Sequence, residues 1–199
     1  MSTPTPMRTK FPQMRTKFPY GSRVYGTHRP DSDHDWIVVD PQQAEPILDI
    51  RTPGEDFTVY SLAEFRRKME LHEVSIVECM MLPDHLVTGD RDSIGQFQLD
   101  LSQLRSSFAK QASNSWVKAR KKLEEGELRI AQKSLFHVFR IIQFGTQIAE
   151  TGRIHDWQAA NHILTEVESL PTEWAEWKDR FQARKNEAES RFRKSAPKK

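Results

Sequence analysis

The chain is poor in the groups that staple or anchor a protein. Cys79 is its only cysteine, which excludes an intrachain disulfide and a thiolate zinc centre and suits a reducing compartment. No apolar run approaches the roughly 18 residues of a spanning helix. The first residues also lack the apolar core of a secretory signal. The expectation is therefore a cytoplasmic protein with no membrane partner. Excess charge of one sign is missing as well: 30 basic against 28 acidic residues leave +2, which by itself points to no polyanionic partner. Only the ending RFRKSAPKK is strongly basic, and a solvated terminus accounts for it. Aromatic residues, by contrast, are plentiful. The 11 Phe, 5 Trp and 3 Tyr argue for a packed core rather than disorder.

Taken in order, the chain divides in two. A Ser/Thr/Pro-rich opening (1–13) reads as disordered. It contains the first copy of MRTKFP, at Met7–Pro12, repeated at Met14–Pro19. So short a tandem is no solenoid. The second copy predicts a short, edge-like strand, because Pro19 lacks a backbone donor. HDWIVV at His34–Val39 predicts a strand, Ile47–Arg51 another, and DFTVY at Asp56–Tyr60 a third. Alternation puts Asp56, Thr58 and Tyr60 on one face and Phe57 and Val59 on the other. Ser61 with Glu64 reads as a capping box opening a helix with Leu62, Phe65 and Met69 on one face. Val74–Leu82 is apolar throughout and is left open between strand and buried helix. Long helical patterns follow over Asp100–Glu125 and Glu127–Glu150, then His155–Leu170, then from Thr172. The predicted class is α+β: a small mixed sheet packed on helices over 14–98, a helical domain over 99–194 and a basic tail over 195–199.

The chemistry concentrates in Gly21–Asp40, GSRVYGTHRPDSDHDWIVVD. Asp33 and Asp35 share one face if the strand begins early. Hard divalent cations prefer such carboxylate oxygens, and phosphoryl transfer is served by two ions about 3.5–4 Å apart. Asp56 is the best-placed third carboxylate. Gly21 and Ser22 offer backbone N–H groups and a hydroxyl to a phosphate chain. Arg23 or Arg29 could neutralise that chain. Lys133, His137 and Arg140 fall on one helix face and could reach phosphates or base, or form a solvated stripe. His34, between the aspartates, should face the other way. Glu78 sits in an apolar run, where an ionised carboxylate needs a partner, and Cys79 reads as a buried small hydrophobe.

GSRVYGT, PDSDHDWIVV and EDFTVYSLAEFRRKM, with KSLFHVFRIIQFG farther on, resemble the DNA polymerase β nucleotidyltransferase superfamily. Within it they are most similar to the polymerase-β-like family associated with RNA repair. The resemblance implies a nucleotidyltransferase that moves a nucleoside monophosphate from a triphosphate such as ATP to a hydroxyl, with an RNA end as acceptor. It implies Asp33, Asp35 and Asp56 holding two Mg²⁺ ions, with Mn²⁺ an alternative, and Gly21 and Ser22 holding the triphosphate. Two other readings stay open. One is an AMPylase-like enzyme that modifies protein; the other is a silent nucleotide- or RNA-binding module, against which three carboxylates stand.

Overall fold

The computed structural model describes residues 15–197; the opening 1–13, the first MRTKFP copy and the last two residues of the basic tail lie outside them. The strands β1 (Thr16–Tyr20), β2 (His34–Asp40), β3 (Ile47–Thr52) and β4 (Glu55–Ser61) form one mixed sheet in the order β1-β2-β4-β3. β1 runs antiparallel to β2, β2 parallel to β4, and β3 antiparallel to β4. Pro19 therefore sits on an edge strand, where its missing donor breaks no internal ladder. That edge is covered locally by Thr88, which exchanges both backbone bonds with Lys17 at 2.8 and 3.0 Å.

Ser61 opens α2 (Leu62–Glu70) as expected: its hydroxyl accepts from the Glu64 N–H at 3.2 Å. Glu64 spends its carboxylate on Arg67 instead of closing the box. The ambiguous apolar run is a helix, α3 (Val74–Met81). One side of the sheet, through Phe18, Ile37, Val39 and Tyr60, packs on Phe65, Met69, Ile76 and Cys79 of α2 and α3. Cys79 is fully buried, as its size and polarity predict.

Asp100 caps α4 (Leu101–Glu124), accepting from the Gln103 N–H at 3.0 Å. α5 (Leu128–Thr151) packs along it and ends at Gly152 in the left-handed region. The third predicted helix is shorter than its pattern: only α6 (Asn161–Glu168) is helical. Residues 155–160 are held as a loop because Gln147 accepts from the N–H groups of His155 and Asp156 at 3.0 and 2.9 Å, while Trp157 packs edge-on against Phe144. α7 (Trp174–Ser195) closes the bundle with Trp177, Phe181 and Phe192 buried. The helical core also takes in Tyr25, Val74 and Val77, so the bundle is seated on the sheet half. No described helix is long and apolar enough to cross a membrane.

Candidate active site

Strand register assembles the site. Asp35 on β2 is the Cα partner of Asp56 on the parallel neighbour β4, and of Tyr20 on β1; Asp56 is in turn the partner of Arg51 on β3. Side chains paired in this way point to the same face. One row across all four strands thus reads Tyr20, Asp35, Asp56, Arg51. Asp33 does not share the strand, which begins one residue later at His34. It lies on the exposed turn just before, held there by Arg23, which donates to the carbonyls of Ser32 at 2.7 Å and Asp33 at 3.4 Å. His34 faces the other way, stacked on Trp36.

The Gly-Ser pair follows β1 and enters α1 (Ser22–Tyr25), a single turn. Gly21 has φ 74° and ψ −153°, a region essentially reserved for glycine. A Cβ there would stand 2.1 Å from Oδ2 of Asp35. The bare backbone at Gly21 is therefore what lets the Asp35 carboxylate lie against the loop.

The Asp35 carboxyl is pushed above the ordinary carboxylate range, first by partial burial and then by the like charges of Asp56 and Asp33; Lys133 and Arg23 pull it back in part. Three carboxylates that repel one another form an anionic cluster suited to a hard cation. Among the described residues, no three His, Cys, Asp or Glu side chains converge closely enough to form a ready-made metal centre. They are neighbours rather than a closed cage, and their donor chemistry fits Mg²⁺.

Two cavities meet at Asp35. The larger, about 840 Å³, lies between the Gly21–Ser22 loop and the facing sides of α4 and α5; Lys110, Lys118, Lys133 and His137 help line it. The smaller, about 420 Å³, lies over β3 and β4, and shares Tyr20, Asp35 and Ser75 with the first.

The other expected residues divide. Lys133 lines the larger cavity, and neither it, Lys110 nor Lys118 has an ion-pair partner among the described residues. His137 lines the same wall and is held neutral: burial lowers its pKa well below the ordinary value, helped by the charges of Arg140, Lys133 and Lys118. The Arg140 Nε–H donates to its Nδ1 at 3.1 Å, leaving the proton on Nε2. Arg140 itself reaches the cavity wall but is only 4% exposed and is paired with Glu78. Its place is structural, as a buried partner of that carboxylate. Glu78 finds the partners it needed: Arg140, and the Tyr25 hydroxyl, which donates at 2.6 Å. Arg29 points elsewhere. It lines neither cavity and donates to Glu168 at 3.2 Å, a carboxylate shared with Arg129.

Sequence reasoning missed Lys110 and Lys118. A signal was present: between Leu101 and Leu123 the chain has six Lys or Arg and no acid, and from Leu128 to Ala149 there is again no acid. Two helices acid-free over these spans and facing each other make a cationic wall.

No protein-family model matches the chain and no curated protein matches it. Among solved structures it is similar to a nucleotidyltransferase-like protein from Exiguobacterium sibiricum 255-15, at 14% identity over 92% of this chain and 68% of that one, with a TM-score of 0.32. The site's own chemistry has to carry the functional reading.

Proposed function

We propose that the protein is a metal-dependent nucleotidyltransferase that moves a nucleoside monophosphate from a nucleoside triphosphate to a hydroxyl acceptor. The observation that carries this reading is the in-register pair Asp35 and Asp56, set against the Gly21 backbone at the mouth of a cavity with three lysines that have no ion-pair partner among the described residues. The triphosphate occupies the larger cavity, its phosphate chain running beside Ser22 and Lys133 towards Lys118 and Lys110 on α4. Asp33, Asp35 and Asp56 would hold Mg²⁺, which when bound screens the phosphate charge and raises the electrophilicity of the α-phosphorus.

The protein's own contribution is position and charge. The acceptor oxygen attacks the α-phosphorus in line as the bond to the bridging oxygen breaks, and pyrophosphate leaves with that electron pair. Asp56, whose carboxylate faces the smaller cavity, takes the hydroxyl proton. Lysines without carboxylate partners offset charge on the departing pyrophosphate. The neutral His137 adds an Nε2–H donor that does not compete for Mg²⁺.

The test is to incubate each α-³²P-labelled triphosphate with Mg²⁺ and a mixed acceptor pool, comparing wild type with Asp33→Ala/Asp35→Ala. Acid-stable label on an acceptor, lost in the variant, is the expected result. Equal labelling by both proteins rejects the carboxylates as the catalytic centre. Label on protein in place of any added acceptor moves the assignment to the protein-modifying reading.

A further inference from the structure

The smaller cavity differs from its neighbour in the chemistry of its walls. At about 420 Å³ it falls in the size range of small-molecule sites. Asp49, Arg51, Asp56, Thr58, Tyr60 and Ser75 contribute to it. Among the described residues Arg51 is its only cationic side chain, set against Asp35, Asp49 and Asp56. Arg51 stands 3.9 Å from the Asp56 carboxylate, and Thr58 donates to Asp49 at 2.9 Å. Once Asp35 and Asp56 engage a cation, what remains is one acid, one base, a set of hydrogen-bonding groups and the apolar surfaces of Trp36, Ile37, Ile50 and Phe57.

Resting on the nucleotidyl-transfer reading, we infer that this cavity binds the acceptor, and that the acceptor is a small polyhydroxylated molecule without negative charge, of the sugar, inositol or amino-sugar kind. Three observations converge. The cavity opens onto the larger one at Asp35, so a hydroxyl held in it meets the α-phosphate at the shared wall. Its polar lining, Asp49, Arg51, Thr58, Tyr60 and Ser75, supplies hydroxyl, carboxylate and guanidinium groups that both donate to and accept from hydroxyls. Nucleic acid binding draws most of its affinity from cations placed on phosphates, and this cavity has one arginine facing three carboxylates; the unpaired lysines all lie on the nucleotide side. The transferred group ends as a phosphodiester on the acceptor oxygen, with pyrophosphate and one proton released.

The experiment offers two acceptor sets in one tube: an RNA pool with free 2′,3′-hydroxyl ends, and a mixture of glucose, myo-inositol and glucosamine. Each is tested with every α-³²P-labelled triphosphate and Mg²⁺, and the products are separated by size. Thr58→Trp fills the cavity floor, and Asp49→Lys reverses the charge of an exposed side chain that is not expected to affect folding. Binding of Mg²⁺ with a non-hydrolysable ATP analogue is measured on all three proteins by calorimetry. Label in the small-molecule fraction, reduced at least tenfold by Thr58→Trp, with glucosamine affected more than glucose by Asp49→Lys, is the expected result. Label in RNA, small-molecule labelling indifferent to both substitutions, or no label anywhere from a protein that binds the analogue would each overturn the acceptor assignment. A wild type that does not bind the analogue would instead remove the nucleotidyl-transfer premise.

Discussion

At the scale of single residues, the site trades stability for charge. A carboxyl whose folded pKa is raised binds more protons in the native than in the unfolded state between its two pKa values. Its contribution to stability is full below the unfolded value and is lost as pH rises through the folded one. Asp35 is such a group, so at neutral pH its ionised form works against folding. Asp35→Asn is expected to raise the melting temperature at pH 7 and to abolish transfer. Added Mg²⁺ should raise the melting temperature of the wild type and leave the variant unmoved; a variant that melts lower would contradict the repulsion among the three carboxylates. Below the raised pKa of Asp35, transfer should fall with acidification as the carboxylate protonates, which a rate–pH profile would show. Gly21→Ala combines a forbidden backbone region, about 1–3 kcal/mol, with a side chain 2.1 Å from Oδ2 of Asp35. The strain can be relieved only by moving Asp35 or the loop. The expected outcome is a modest drop in melting temperature together with a loss of turnover on the order of a hundredfold, the scale of a misplaced reacting group.

At the scale of elements, three helices are tied beneath the site by one buried carboxylate. Glu78 of α3 is 1% exposed and is held by Arg140 of α5 and Tyr25 of α1; the Arg140 guanidinium also lies 4.1 Å from the centre of the Tyr25 ring. Removing one member of such a pair typically costs about 3–5 kcal/mol, whereas replacing both by neutral groups can be nearly neutral. Arg140→Met should therefore destabilise on that scale in urea unfolding, and Glu78→Gln/Arg140→Met should recover most of the loss. His137 adds a pH term of known sign. Its pKa is lowered in the fold, so its contribution is present above its ordinary 6.5 and is lost as pH falls below it, by up to about 1.4 kcal/mol per pH unit. His137→Gln should melt with a shallower acid dependence than wild type. The sequence made part of this legible. Burying Glu78 in VSIVECMML demands a partner whatever the fold, and strand alternation placed Asp56 with Thr58 and Tyr60. Neither alternation nor composition could pair Asp35 with Asp56, because that depends on β4 crossing back beside β2 while β3 is pushed to the edge. Arg29 looked equivalent to Arg23 for the same reason: the carboxylate it meets, Glu168, lies 139 residues away along the chain.

At the scale of the whole molecule, near-neutral net charge conceals a strong separation of sign. The +2 total averages a cationic wall on α4 and α5 with the carboxylate row of the sheet, and the larger cavity is where the two meet. Cations on the concave face of a cleft raise the local concentration of an anionic ligand. An exposed lysine on the opposite surface would contribute far less, because water and salt screen it. The three lysines are thus expected to act as binding groups more than as chemical ones. Replacing Lys110, Lys118 or Lys133 singly with Ala should weaken triphosphate binding by about tenfold each, the scale of one charge-assisted hydrogen bond in a partly desolvated site. Turnover at saturation should fall least for Lys110 and Lys118, and most for Lys133, which acts on the Asp35 carboxylate itself. Raising the salt concentration should narrow the gap between wild type and each variant. If the gap were instead indifferent to salt while affinity for an uncharged nucleoside fell equally, the lysines would be shaping the cavity rather than recognising phosphate. Titrating triphosphate, monophosphate and nucleoside at two salt concentrations separates these outcomes. The charge separation requires the order triphosphate, monophosphate, nucleoside in both affinity and salt sensitivity.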